Sequence, residues 1–215
     1  MGTIAIVLGL GVVFSAWYYS EAATLKRQLR AAKPWPLHEL PEDTLGRVIG
    51  TAQILGVTMT APLSGRECVF YEITVTEHHG KSSSRLLTER QGVPFLLVEG
   101  SARAIIEPTD AKVVLTQDAR ASSGTLDPAT PTEEAFLNKH GLTSTGWLGF
   151  NRSLTYTEAI IEVGERITVL GAGVREADPD APPLDAYRGM PQTRLRLTSS
   201  VTFPLVISDD PSTVS

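Results

Sequence analysis

The chain has 215 residues, of which 42% are hydrophobic and 20% charged, and its formal net charge is −5. These values are those of an ordinary globular protein that can bury a core, and the acidic balance excludes a general nucleic-acid binder. The single cysteine, Cys68, excludes an internal disulfide and any zinc site built from cysteine pairs.

The N-terminal residues 2–19 contain no charged side chain. About 18 such residues just cross the hydrocarbon core of a bilayer, and Trp17, Tyr18 and Tyr19 suit its aromatic interface. A cleaved signal peptide is the rival interpretation, but the positively charged start that such a peptide needs is missing. We therefore predict a transmembrane anchor over residues 1–20, with residues 2–19 in contact with the lipid bilayer.

A basic segment follows, in which Lys26, Arg27, Arg30 and Lys33 face a single acid, Glu21. By the positive-inside rule, this flank predicts that the bulk of the chain lies on the cytoplasmic side of the membrane. Prolines at positions 34, 36 and 41 end the helix, because proline cannot continue it. Residues 21–44 are thus predicted to be a basic juxtamembrane helix and a proline-rich linker.

A strand-rich domain is predicted over residues 45–207, with a tail at 208–215. Its first half contains β-branched and aromatic runs bounded by turn residues. In Glu67–His79 the alternation favours Val69, Tyr71, Ile73 and Val75 as the core face. The other strands predicted in this half are Arg47–Leu55, Arg85–Arg90, Val93–Glu99, Ala102–Pro108 and Lys112–Leu115.

One short helix interrupts the strands. Ala121–Pro131 is predicted to be a loop, and Thr130, Pro131 and Glu133 then form a helix start with a capping box. The helix is predicted to end near Lys139, before Gly141. Its residues Ala135, Phe136 and His140 are spaced to share a face.

The stretch Tyr156–Gly171 predicts two strands joined at Gly164, where a sharp reversal needs positive φ. Gly171 and Gly173 are expected to close the second strand, and Arg194–Val206 is predicted to form a later one. On the first strand, Glu158 shares a face with apolar neighbours. We expect it to lie at an edge or rim, a functional carboxylate being the alternative. The fold predicted from these elements is α+β but mainly β, a small barrel- or sandwich-like domain with one short helix.

Two sets of residues could carry chemistry. His78, His79, Cys68 and His140 could in principle bind a metal, but adjacent histidines point to opposite faces of a strand. Cys68 beside a histidine could form a nucleophile pair, but its place in an apolar strand favours an inert thiol. The sequence contains no phosphate loop, dinucleotide fingerprint or Gly-x-Ser-x-Gly motif. We predict no catalytic residue, metal or cofactor.

Several segments together resemble the GIDE, or BAM ("beside a membrane"), domain of membrane-anchored RING-type E3 ubiquitin ligases. The most specific pieces are Ala61-Pro62-Leu63-Ser64-Gly65 with Cys68 and Tyr71, and Tyr156-x-Glu158 with Gly164 and Gly171. The resemblance covers roughly residues 45–207. The ligases also have a second transmembrane helix and a zinc-binding RING, and one cysteine cannot build a RING within this sequence. In the two-helix ligases, moreover, the domain lies across the membrane from the RING, which opposes the topology predicted from the basic flank.

The resulting expectation is a single-pass membrane protein whose domain acts as a protein-interaction module or membrane-proximal scaffold or sensor. Its partner would be an unidentified protein, and Glu158, Tyr156, Gly164 and Tyr71 are the candidate binding residues. Two alternatives stay open. One is an enzyme, either ubiquitin-ligase-like by resemblance or a hydrolase around Glu158, His78 and His79. The other is a subunit of a membrane complex.

Overall fold

The computed structural model of the chain describes residues 21–124, 127–146, 150–179 and 193–214. The described part is mainly β, with two helices. Helix α1 covers residues 21–31 and α2 covers Pro131–Lys139. The strands are β1 Gly46–Ile54, β2 Met59–Thr60, β3 Glu67–His79, β4 Ser82–Gly92, β5 Phe95–Glu99, β6 Ala102–Ile106, β7 Lys112–Val114, β8 Ala119–Ser123, β9 Leu154–Glu162, β10 Arg166–Ala177, β11 Thr193–Thr198 and β12 Val206–Ser208.

Five strands close into a small barrel. Strand β1 pairs with β10 over Gly46–Thr51 and with β5 over Thr51–Ile54, and β6 and β11 complete the ring. The interior holds large apolar side chains such as Phe95, Leu97 and Ile106, all fully buried. Strands β12 and β7 extend the sheet beyond β10. The prediction of a mainly β, barrel-like domain is therefore confirmed.

A second, antiparallel sheet is built around β3. Strands β4 and β2 pair with β3, β9 pairs along it as well, and β8 pairs with β9. The predicted core face of β3 is confirmed, because Val69, Tyr71, Ile73 and Val75 are all buried. On this inner face lies helix α2, whose Phe136 and Leu137 join the apolar cluster.

Helix α2 begins as the sequence predicts. The Thr130 hydroxyl accepts from the Glu133 amide and the Glu133 carboxylate accepts from the Thr130 amide, which completes the capping box. The rings of Phe136 and His140 are in edge contact at 5.2 Å between centroids. Ala135 does not share that face, because its side chain is exposed.

The turn at Gly164 links the two sheets. Its φ of 92° confirms the predicted positive φ, but β9 and β10 do not pair with each other. Instead, the Gly164 amide donates to the Ala52 carbonyl of β1, and the chain passes from the second sheet into the barrel. The expected sharp reversal is therefore a crossing between sheets.

Three local predictions are wrong. Gly171 and Gly173 lie inside β10, where a Cβ on Gly173 would meet the Arg196 carbonyl oxygen at 2.1 Å, so the glycine permits close strand approach. The first three residues of the loop predicted at Ala121–Pro131 belong to strand β8, because they pair with β9. The single strand predicted at Arg194–Val206 is two strands, β11 and β12, separated by a turn in which the Ser200 amide donates to Phe203.

Helix α1 is packed against the barrel. Its Leu25 and Leu29 are buried against Val114, Leu170 and Val206. On its polar side Lys26 forms an ion pair with Asp210, and the Arg30 guanidinium donates to the Ser212 hydroxyl at 2.5 Å. The C-terminal residues are therefore part of the structure, and Ser208 and Thr213 are fully buried.

The segment between α1 and β1 is also anchored to the barrel. The Trp35 amide donates to the Arg47 carbonyl and the Leu37 amide to the Glu99 carboxylate. Leu37 and Leu40 are buried in the barrel core. No helix in these described parts of the chain is long and apolar enough to cross a bilayer, and the predicted anchor, residues 2–19, lies outside them.

Candidate functional site

The carboxylate of Glu158 lies at the centre of the most specific sequence features. Glu158 is on β9, between β3 and β8, and its side chain is 1% exposed. Oε1 accepts from the Leu63 amide at 2.9 Å, and Oε2 accepts from the Ser64 amide at 3.0 Å. The expected edge or rim position is wrong, because β9 is a central strand and the carboxylate is covered by the 61–65 loop.

The 61–65 loop is a tight turn shaped to present these amides. The Gly65 amide donates to the Ala61 carbonyl and the Ala61 amide to the Arg66 carbonyl, which closes the turn on itself. Gly65 has a φ of 70°, a conformation that glycine adopts without steric cost. Two converging backbone N–H groups form a site for an anion, and Glu158 fills it from within the same chain.

An ion-pair network borders the covered carboxylate. The Arg66 guanidinium donates through Nε to Glu162 at 2.8 Å and through Nη2 at 2.5 Å, and it lies 3.5 Å from Asp118. The hydrogen bond from Arg66 is the main reason that the pKa of Glu162 is lowered, with burial opposing it. Asp118 in turn accepts from the Ile160 amide at 2.9 Å. This side chain therefore satisfies a backbone donor of β9 just beyond the residues that pair with β8.

Cys68 lies on β3, fully buried. Burial, followed by the negative charge of Glu158, raises the pKa of its thiol to about 11. A thiol that stays protonated near neutral pH is a poor nucleophile, which agrees with the interpretation as an inert core residue.

Two further acids, the buried Asp209 and the partly buried Glu165, have raised pKa values. Burial raises the pKa of Asp209 to about 7, against a 2.6 Å hydrogen bond from the Thr116 amide, and Glu165 and Asp118 raise it further. Burial is also the main cause of the raised pKa of Glu165. Within the described residues, no group of three or more His, Cys, Asp or Glu side chains is arranged to hold a metal.

Tyr71 takes part in a second polar cluster, which lies on the same inner face but between β3 and its neighbour β4. Its hydroxyl lies 2.5 Å from Glu89 Oε1 and 2.7 Å from Gln91 Oε1. Glu89 is also contacted by Lys139 Nζ at 2.8 Å and His140 Nε2 at 2.5 Å. Burial and the bond to Glu89 raise the pKa of Tyr71, so the phenol is a neutral donor. The cluster fixes the C-terminal end of α2 to β4.

Tyr156 packs entirely inside the second core cluster, at 0% exposure. Burial is the main cause of the raised pKa of its phenol. The Ser123 hydroxyl lowers the pKa of this phenol, but among the described residues neither hydroxyl has a partner in good hydrogen-bonding geometry.

The four predicted binding residues do not converge on one surface. Glu158, Tyr156 and Tyr71 are at most 3% exposed, and Gly164 is at the crossing between the sheets. In the structure the three side chains serve packing and internal hydrogen bonding. A role for any of the four in binding a partner stays a prediction.

The hydrolase alternative also finds no assembled site. Glu158 is opposite Ile73 on the inner face. His78, an odd number of residues away from Ile73 on β3, points to the outer face, where its Nε2 lies 2.9 Å from the Thr155 hydroxyl. His78 is five positions further along β3 than Ile73, which corresponds to about 17 Å. His79 lies 3.3 Å from Glu77, which Arg152 also contacts in a bidentate pair. The structure therefore does not bring Glu158 and the two histidines together.

Sequence reasoning missed the donors to Glu158 and the partners of Tyr71. The loop and the Tyr156-x-Glu158 piece were both signals of family resemblance, but a backbone amide leaves no mark in the sequence. Glu89 is an ordinary acid in a polar strand, so nothing in its sequence context marks its three partners, Tyr71, Lys139 and His140.

Replacing Glu158 tests its structural role. Glu158→Gln should lower the free energy of unfolding by about 2 kcal/mol, since the amide group would oppose one of two N–H donors in a buried site. Chemical denaturation of the full-length chain, followed by circular dichroism, measures this loss. Glu162→Gln on the same strand is the control and should cost less than about 1 kcal/mol, because its ion pair is exposed. Equal effects of the two changes would contradict the assignment.

Comparison with known proteins gives one result. A family model described as GIDE, E3 ubiquitin ligase, matches residues 70–182, more than half of the chain. The match begins in β3 and includes β4 to β10 and α2. No curated protein and no solved structure matches the chain significantly.

Proposed function

The chain belongs to the GIDE family, and on that premise we propose that its domain is a protein-interaction module held beside a membrane. Residues 2–19 are the proposed anchor, and the domain acts as a scaffold or sensor close to the bilayer. The partner is a protein. No chemistry of the domain itself is required.

The packing of α1 is the observation that carries this proposal. The described part of this helix starts at residue 21, directly after the proposed anchor in sequence, and is fixed to the barrel by Leu25, Leu29 and the pair of Lys26 with Asp210. A second set of hydrogen bonds, around Trp35 and Leu37, follows immediately. An anchor joined through such a segment would present the domain in one orientation, which suits recognition at a surface.

The polar groups of the described residues favour binding over catalysis. The carboxylates of Glu158, Glu77 and Glu89 all accept hydrogen bonds from donors of the same chain. Their partners hold loops, strands and α2 in place. The domain therefore supports a rigid surface.

Ubiquitin transfer is the second candidate, because the family description names E3 ubiquitin ligases. The single cysteine cannot supply the zinc sites of a RING within this sequence. We therefore propose that a GIDE domain without those ligands contributes partner recognition. An in vitro ubiquitination assay with the purified full-length chain would reveal transfer.

Site-specific photo-crosslinking tests the interaction proposal. A photo-reactive residue is placed in the full-length chain, in cells, at positions on different surfaces: Ile54, Thr88, Arg120, Val174 and Val201. Adducts of one defined mass should form from a single surface and be absent from the others. Adducts at no position, or the same heterogeneous adducts at every position, would contradict the proposal.

Protease treatment of sealed cells tests the proposed topology. We propose that the domain lies on the cytoplasmic side, because the basic flank after residue 20 favours it. A C-terminal tag should then resist protease until the membrane is lysed and should sediment with membranes. Cleavage in sealed cells would place the domain on the opposite side, and a tag in the soluble fraction would refute the anchor.

A further inference from the structure

Strand β4 leaves one long edge unpaired. It has 11 residues and, among the described residues, pairs with β3 alone. The other edge strands are shorter, since β8 has five residues and β7 three. Native proteins usually keep exposed edges short or interrupt them with proline, because free N–H and C=O groups recruit further strands. The β4 sequence contains no proline.

The C-terminal half of β4 is regular. A bulge opposite Val75 and Thr76 interrupts the earlier pairing, whereas Leu87–Gln91 pair one to one with β3. In such a run alternate residues direct their backbone groups away from β3. Leu87–Gln91 therefore offer an extended edge in register for another strand.

The inner side of this edge is held rigidly. Glu89 is bound by Tyr71, Lys139 and His140, and Gln91 by Tyr71. A strand docking here meets a backbone that is already ordered, and this reduces the entropy lost on binding.

The outer face of the edge carries Arg90 and therefore favours a partner strand with acidic side chains. Arg90 and Thr88 share a face with Glu72 and Thr74 of β3, and Arg90, 44% exposed at its side chain, forms an ion pair with Glu72. Arg85 precedes the bulge, on the same face as Thr76. The acid of this half-strand, Glu89, faces inward and is already engaged. Residues opposite each other on neighbouring strands have their Cβ atoms about 4.5–5.5 Å apart, so an acid opposite Arg90 would be stabilising.

A second copy of the chain fits this edge poorly. Residues directly opposite each other in an antiparallel pair point to the same face. The pairing that overlaps Leu87–Gln91 of both copies in full is centred on Glu89, and it would place Glu89 of each copy opposite Glu89 of the other. Like charges directly opposite are destabilising.

We propose that the β4 edge, Leu87–Gln91, binds an extended acidic segment of another protein as an added β-strand. This inference rests on the proposed interaction function and names its surface and the chemistry of the partner. The added strand pairs through its backbone, and its acidic side chains lie on the face that carries Arg90.

Binding of two matched peptides tests the inference. The probes are ten-residue peptides that alternate threonine with glutamate or threonine with lysine, titrated into the isotope-labelled full-length chain in detergent micelles. The glutamate peptide should bind at least tenfold more tightly, and the amide shifts should centre on Leu87–Gln91. Arg90→Glu should reverse the preference. The control, Arg120→Glu on the far edge strand β8, should leave it unchanged.

Several results would overturn the inference. These are absence of binding by both peptides, a preference that Arg90→Glu does not alter, shifts centred on another surface, or a dimer joined through β4. Photo-crosslinks from Arg120 or Val174 without any from Thr88 would also overturn it, while leaving the proposed interaction function intact. Loss of crosslinks at every position would instead refute the proposed function.

Discussion

The buried carboxylate of Glu158 is the constraint around which this domain is arranged. A carboxylate removed from water is costly unless donors replace its hydration, and the Leu63 and Ser64 amides do so. Their loop must therefore close over β9. The closed loop buries Ala61 in the second core cluster and places Arg66 beside Glu162, which is four residues beyond Glu158 on β9. One side chain thus couples a loop, a central strand and the adjacent ion pairs.

Single polar contacts also join the two sheets and the two helices at other points of the domain. Glu89 ties α2 to β4, Asp210 and Ser212 hold α1, and the Gly164 amide joins the crossing segment to β1. Each contact connects elements distant in sequence, so the barrel, the second sheet and the N-terminal segment form a continuous packed structure. For a protein proposed to work at a membrane, this continuity matters more than any isolated reactive group, because it holds the edges of both sheets in one fixed arrangement.

Local pattern predicted most of the fold. The alternation in Glu67–His79, the capping box at Thr130 and the positive φ at Gly164 each reflect short-range rules, and each is confirmed. What failed depends on distant partners. Glu158 resembles a rim acid until the loop that covers it is known, β8 is a strand because β9 lies beside it, and Gly173 is inside β10 because β11 approaches it closely. Family resemblance identified the loop and the Tyr156-x-Glu158 piece, but not that they touch.

Native-state amide hydrogen exchange at Leu63 and Ser64 is the most direct test of the central role of Glu158. If these two amides are held by the buried carboxylate, their opening free energies should approach that of Ile73 in the core of β3. Exchange at the rate of an exposed turn, such as the one at Gly80, would show that the loop opens independently of the domain. The structure would then have to be explained without Glu158 at its centre.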